Sequence, residues 1–153
     1  MFDLNISAAE AHDMGVNIEH ELWKLKSNVQ LAMGIAFESV VLNNFGFLGE
    51  DRPDEWPPLS PAYAKKVNRT WATLQVDGTL RAAVKLDNSD LHFAKVSASN
   101  SDVPYATAHQ HGVAERNLPA RPYFPMDPQG EVTDYTKGVV REAAINALRE
   151  ELA

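Results

Sequence analysis

The stretch LPARPYFP (residues 118–125) carries three prolines in eight residues and limits the possible folds more than any other part of the chain. A residue that precedes proline is biased towards extended or polyproline backbone, and three residues of this stretch stand in that position. Proline also lacks the amide proton that a helix or a central strand needs. We therefore predict a rigid extended segment, called the prolyl segment below, in which Arg121 is held between Pro119 and Pro122.

Length and composition indicate one ordinary globular domain over residues 1–153. A chain of 153 residues with 44% hydrophobic side chains can bury a sizeable core without crosslinks. There are no cysteines, which excludes disulfides and thiolate metal sites. The net charge is −7, and the one dense basic group (Lys65, Lys66 and Arg69) is more typical of a solvated surface than of a phosphate-binding site. Specific nucleic-acid binding is not expected, and residues 29–48 are too polar for a membrane span.

The periodicity predicts an α+β fold, in which a small antiparallel sheet packs against long N-terminal and C-terminal helices. Turn signals surround a DNSD hairpin, and Ser60 with Pro61 forms a helix start. A second helix is expected to begin after a cap at Ser27 or Asn28. The predicted elements are a strand at 2–6, helices at 8–26, 29–45 and 62–71, strands at 81–86 and 91–98, a short helix at 104–109 and a final helix at 131–152.

Apolar residues surround the helix predicted at 29–45 on almost every side. A helix of that kind is buried on most of its surface. Two explanations remain open at this stage: burial within the core alone, or burial in the core together with a subunit interface.

The chemical candidates are weak. His109 and His111 could share a metal if their segment were extended, because residues two apart then lie on one face, but no third ligand has recognisable spacing. The chain has no nucleophile elbow, no P-loop and no dinucleotide fingerprint. We therefore assign no catalytic, cofactor-binding or metal-binding residue and expect a protein that is not an enzyme.

Two large side chains have either a structural or an interface role. Trp56 could pack its acidic loop onto the domain, or it could anchor a neighbouring subunit. Arg121 could pair within the chain or contact a partner, and we expect its side chain to bind a carboxylate or backbone carbonyls away from water.

Four motifs occur in a fixed order: WPPLSPAYAKK (56–66), LQVDGTLRAAV (74–84), YATAHQHG (105–112) and LPARPYF (118–124). This series resembles the phage virion morphogenesis family, the tail-completion proteins of Mu-like and related phages. The resemblance covers residues 56–125. His111 stands where the family usually has an aromatic residue, and Tyr123 with Phe124 replaces a more usual Phe-Leu pair.

The resemblance implies a structural protein that completes the tail and helps to join it to the head, as a homo-oligomeric ring and by analogy a hexamer. Its partners would be the connector or adaptor, the tail terminator and the tail tube, in the virion and earlier in the host cytoplasm. Packaged DNA would pass through without specific binding. Alternatives are a tail terminator, a head-closure adaptor, or a non-viral oligomeric adaptor. The structural and interface candidates are Arg121, Pro119, Pro122, Tyr123, Phe124, Gln110, Gly112, Tyr105, Trp56, Gly78 and Leu80.

A ring in the neck would also constrain the charge of the wall that faces its lumen. A basic lumen would retain DNA phosphates, so we expect a lumen that is acidic or neutral. Several acidic residues are candidates to face either the lumen or the solvent, where they would only confer solubility: Glu50, Asp51, Asp54, Glu55, Glu142, Glu150 and Glu151.

Overall fold

The computed structural model describes residues 7–46, 51–68, 74, 77–90, 92–98 and 103–153. It has a two-stranded antiparallel sheet and long helices near both ends, which confirms the α+β prediction. The elements are α1 (Ala8–Asn44), α2 (Pro61–Val67), α3 (Thr79–Ala82), β1 (Lys85–Asp87), β2 (Lys95–Ser97), α4 (Ala106–His111) and α5 (Asp134–Glu151). The strand predicted at 2–6 lies outside the described residues.

Helix α1 is one continuous helix of 37 residues, so the prediction of two helices with a break at Ser27 or Asn28 was wrong. Neither residue caps a helix. Asn28 instead donates its side-chain amide to Glu151 Oε1 at 2.5 Å, at the far end of the chain. No proline lies near this point, and a single Ser or Asn costs a helix interior only a few tenths of a kcal/mol to about 0.7 kcal/mol. Packing therefore outweighs the local capping signal.

Helix α5 packs antiparallel along the C-terminal half of α1. Its C-terminal end meets α1 at Asn28, and its N-terminal end lies beside the C-terminus of α1. The first twenty residues of α1, about 30 Å of helix, extend past the end of α5, and every side chain from residue 12 to residue 24 is exposed. The N-terminal half of α1 is thus a projecting helix within the described structure. None of the helices in the described part of the chain is long and apolar enough to cross a membrane.

The hairpin is shorter than predicted, with three residues in each strand, and Leu86 lies opposite Val96. It packs on α1 at Gly34, where a Cβ would lie 2.6 Å from Leu86 Cδ1 and 2.9 Å from Ala94 Cβ. The Leu86 amide donates to Glu38 Oε1 of α1 at 2.8 Å. Close approach of helix and hairpin therefore depends on the missing side chain at Gly34.

The short helices α2, α3 and α4 contain many of the motif residues. Ser60 caps α2 as predicted, because its Oγ accepts a bond from the Tyr63 amide at 3.3 Å and Pro61 occupies the first turn. The helix ends at Asn68 in a left-handed conformation, before the predicted residue 71. Gly78, with φ of 79°, begins α3.

The core lies between α1, the hairpin, α3, α4 and the prolyl segment. It contains Val41, Phe45, Leu74, Leu80, Ala83, Val84, Ala98, Val103, Ala106 and Tyr123.

Replacing Gly34 by alanine tests the contact between α1 and the hairpin. The added methyl group forces Leu86 and Ala94 to move, and overpacking of this kind costs about 1–3 kcal/mol, which exceeds the gain of about 1 kcal/mol that alanine brings to a helix. We expect a lower free energy of unfolding in denaturant titrations. Gly138→Ala is the matched control, because no atom lies within 4 Å of its Cβ position and the variant should be more stable than the wild type.

Candidate functional site

The prolyl segment runs through the interior of the protein. Arg121, Pro122, Tyr123 and Pro125 are all buried, although none of them belongs to a strand of the described sheet. A buried backbone without a strand partner must find other hydrogen-bond partners. In this protein those partners are largely side chains from the surrounding elements.

Gln110 of α4 satisfies the amides of the segment. Its Oε1 accepts bonds from the Tyr123 and Phe124 amides, both at 3.0 Å, and its Nε2 donates to the Phe124 carbonyl at 3.4 Å. The next turn needs Gly112, since its φ is 73° and a Cβ there would lie 2.7 Å from the Ala120 nitrogen. The HQHG motif therefore places one amide side chain against the prolyl segment.

Asn44 and Trp56 satisfy the carbonyls. The buried Asn44 at the end of α1 donates to the Tyr123 carbonyl at 3.1 Å, and the Trp56 indole donates to the Pro122 carbonyl at 2.8 Å. The Trp56 ring also meets Phe45 edge-on at 6.3 Å and carries the Arg52 guanidinium 3.7 Å from its centroid. Trp56 therefore packs the acidic loop onto the domain, which is the first of the two roles considered for it.

Tyr123 connects the segment to the core. Its ring lies 5.1 Å from that of Phe45, and its hydroxyl donates to the Ala106 carbonyl at 3.2 Å. Burial raises the pKa of Tyr123 to about 12. The phenol therefore stays protonated and acts as a structural donor. Phe124 is half-buried beside it, with the two rings 5.2 Å apart.

Arg121 is 5% exposed, and its guanidinium binds backbone carbonyls, one of the two kinds of partner predicted. Its Nε donates to the Pro57 carbonyl and its Nη2 to the Pro58 carbonyl, each at 3.2 Å. Its backbone amide donates to the His109 carbonyl at 2.7 Å. Burial lowers the pKa of Arg121. The guanidinium still stays charged, because its ordinary pKa is very high. Arg121 thus ties the loop before α2 to the end of α4, while Pro119 beside it is exposed.

Asp51 is buried, which removes it from the acidic residues that could face a lumen. Its carboxylate accepts bonds from the hydroxyls of Thr133 and Thr136 at the N-terminus of α5, and its amide donates to Asn44 Oδ1 at 3.2 Å. A carboxylate at this end of a helix is also favoured by the helix dipole. Asp54 and Glu55 remain exposed, and Glu50 lies outside the described residues.

A cavity of about 770 Å³ opens beside Arg121, and we call it the Arg121 pocket. Leu80 lines its inner wall, and His109 and Tyr105 stand together with their rings edge-on at 5.7 Å. The Nδ1 atom of His109 is buried and has no hydrogen-bond partner among the residues that the structure describes. The pocket therefore combines a mostly apolar wall with the cationic Arg121 and the carboxylate of Asp77.

The structure does not bring His109 and His111 together. Both lie in α4, where residues two apart point about 200° away from each other, so the extended segment required for a shared metal is absent. No group of three or more His, Cys, Asp or Glu residues with metal-binding geometry occurs among the described residues.

Sequence reasoning missed the roles of Asn44 and Asp51. Asn44 gave a weak signal, because it is a polar residue at the end of an otherwise apolar helix. Asp51 gave none, since it lies in a run of acidic residues that looks solvated throughout.

Replacing Arg121 by alanine removes both guanidinium bonds to the loop. Hydrogen bonds to charged groups are each worth about 1.5–3 kcal/mol, so the loss of both bonds should lower the melting temperature and cost about 3–6 kcal/mol in denaturant unfolding. Arg116→Ala is the control, because Arg116 is exposed and its loss should change stability by less than about 0.5 kcal/mol. Equal stability of the two variants would contradict the structural role of Arg121.

His109 gives a prediction about pH. Burial lowers its pKa below the ordinary 6.5, and the charge of Arg121 lowers it further. Between the lower pKa of the folded state and about 6.5, the unfolded chain binds a proton at His109 and the folded chain does not. The free energy of unfolding therefore falls as the pH drops through this window. His109→Gln should lose less stability than the wild type between about pH 7.5 and pH 5.5, whereas the exposed His111→Gln should behave like the wild type.

No protein-family model matches this chain, and no curated protein or solved structure is significantly similar to it. The resemblance to the phage virion morphogenesis family therefore depends on the ordered motifs alone.

Proposed function

We propose that this chain is a structural protein of the neck or tail end of a phage virion, which completes the tail and helps to join it to the head as a homo-oligomeric ring. The ordered motif series supports this proposal. Trp56, Gln110, Arg121 and Tyr123 come from three of the motifs, and all of them make contacts that fix the prolyl segment. These side chains bind the backbone of one buried segment, and their contacts do not pair a nucleophile with a base. Such contacts fit a structural role.

The observation that carries the oligomeric part of the proposal is the exposed apolar stripe on the projecting half of α1. Met14, Ile18 and Leu22 follow one another at four-residue spacing and are 52%, 56% and 59% exposed. Side chains at this spacing lie on one helix face. An apolar stripe on a projecting helix that no other described element covers is typical of an interface surface.

A ring also needs a second and different surface, because closed rings arise from heterologous contacts. An apolar groove of about 540 Å³ lies between α1 and α5, where Met33, Phe37, Val140 and Ala144 line it. The projecting half of α1 in one copy and the α1–α5 groove of the next copy would form such a head-to-tail contact. The sixfold number comes from the family resemblance.

The charge of the chain is compatible with a passage for DNA. Each copy carries −7, so an assembled ring is strongly acidic and would repel phosphates within about 8–10 Å at physiological salt. Neighbouring neck and tail proteins would bind the faces of the ring.

The stripe can be tested by replacing Ile18 with glutamate. A charge buried in an apolar interface is costly, so the variant should shift from oligomer to monomer in sedimentation velocity experiments while it keeps its helix content and melting temperature. Asn17→Glu is the matched control, since it changes the charge equally but lies about 100° round the helix on the polar face. A wild-type protein that stays monomeric, alone and in assembled particles, would contradict the proposal.

A further inference from the structure

The Arg121 pocket has a lining that is mostly apolar and aromatic. It lies between α2, α3, α4 and residues 117–121, and Leu59, Leu74, Leu80, Leu118, Tyr63 and Tyr105 form much of its wall. Its volume of about 770 Å³ falls in the range of ligand-binding cavities. The proposed ring contacts do not use it.

Arg121 is the cationic group of this cavity, and among the described residues no acidic side chain forms an ion pair with it. A guanidinium has five N–H donors, and the carbonyls of Pro57 and Pro58 occupy two of them. No carboxylate within the described structure forms an ion pair with Arg121. A buried cation without a counterion is costly, so an anion at this place would be strongly favoured.

One nitrogen of the guanidinium has no hydrogen-bond partner among the described residues. Among the described residues, Arg121 Nη1 makes no hydrogen bond, yet the one side-chain nitrogen or oxygen that is both fully enclosed and unpartnered is His109 Nδ1. The Nη1 atom is therefore not fully enclosed, and because Arg121 lines the pocket we infer that this atom faces the cavity. Asp77 stands at the rim, but its carboxylate accepts the Thr79 amide at 3.0 Å and caps its own turn.

We propose that the Arg121 pocket binds a carboxylate carried on an apolar or aromatic group. The free Nη1 edge donates to the carboxylate oxygens, and the leucine and tyrosine wall covers the apolar part. Water is displaced from the wall, which strengthens the ionic contact. This inference depends on the pocket alone, so it holds whether or not the chain forms a ring. The carboxylate can come from an acidic side chain of a neighbouring protein chain or from a free organic acid.

Benzoate is a suitable probe, because it combines one carboxylate with one aromatic ring, and benzamide is its neutral isostere. We expect wild-type protein to bind benzoate with a dissociation constant near about 1 mM, typical of so small a ligand. NMR signals of Arg121 and of residues in the pocket wall should shift with benzoate and not with benzamide. No response to saturating benzoate, an equal response to benzamide, or shifts confined to other surfaces would overturn the proposal.

Arg121→Lys should weaken benzoate binding by about tenfold or more, because an ammonium cannot bind the carbonyls and present a planar edge at once. Arg52→Lys is the control: Arg52 also donates to backbone carbonyls but does not line the pocket, so binding should be unchanged. If Arg121→Lys does not fold, the benzoate and benzamide titrations of the wild type decide the question.

The source of the carboxylate can be distinguished with the assembled protein. If an acidic side chain of a neighbouring copy occupies the pocket, as a contact additional to those of the α1 stripe and the α1–α5 groove, benzoate should lower the average mass of the oligomer. Binding of benzoate without any change in mass would support a free organic acid.

Discussion

Everything in this fold depends on how a buried, proline-rich backbone obtains its hydrogen bonds. The prolyl segment cannot join a sheet, because prolines interrupt its amides, and yet its Tyr123 and Pro122 lie in the interior. Side chains solve the problem: Gln110 accepts from its amides, while Asn44 and Trp56 donate to its carbonyls. An unmade bond at any of these places would cost roughly 1–3 kcal/mol. The helices and loops are therefore arranged round one buried segment that belongs to no strand of the described sheet.

This arrangement positions the two features proposed as functional, the Arg121 pocket and the projecting half of α1. The Arg121 side chain points from the prolyl segment towards the loop before α2. Its guanidinium therefore lies in the wall of a cavity and not in bulk solvent. The Asn44 and Asp51 contacts hold the N-terminus of α5 against the C-terminus of α1. Because α5 has 18 residues and α1 has 37, α5 covers only the C-terminal half of α1. The contacts of the prolyl segment and of α5 thus border the Arg121 pocket and leave the N-terminal half of α1, with its apolar stripe, uncovered.

The fold class, the capped start of α2 and the presence of the hairpin could be predicted from sequence, since local patterns decide them. The break at Ser27 and Asn28 could not, because tertiary packing of α1 on α5 overrides a weak cap. The candidate residues Gln110, Arg121 and Trp56 were identifiable from motifs. Their partners were not, because pairs such as Trp56 with Pro122 are far apart in the chain and only the fold brings them together.

Native-state hydrogen exchange of the Tyr123 and Phe124 amides tests the central role of the prolyl segment most directly. Both amides donate to Gln110 in the interior, so they should exchange only when the whole domain unfolds. The account predicts that their free energies of exchange equal the global free energy of unfolding obtained with denaturant. Exchange through a local opening of much lower free energy, while the α1–α5 pair stays protected, would contradict it.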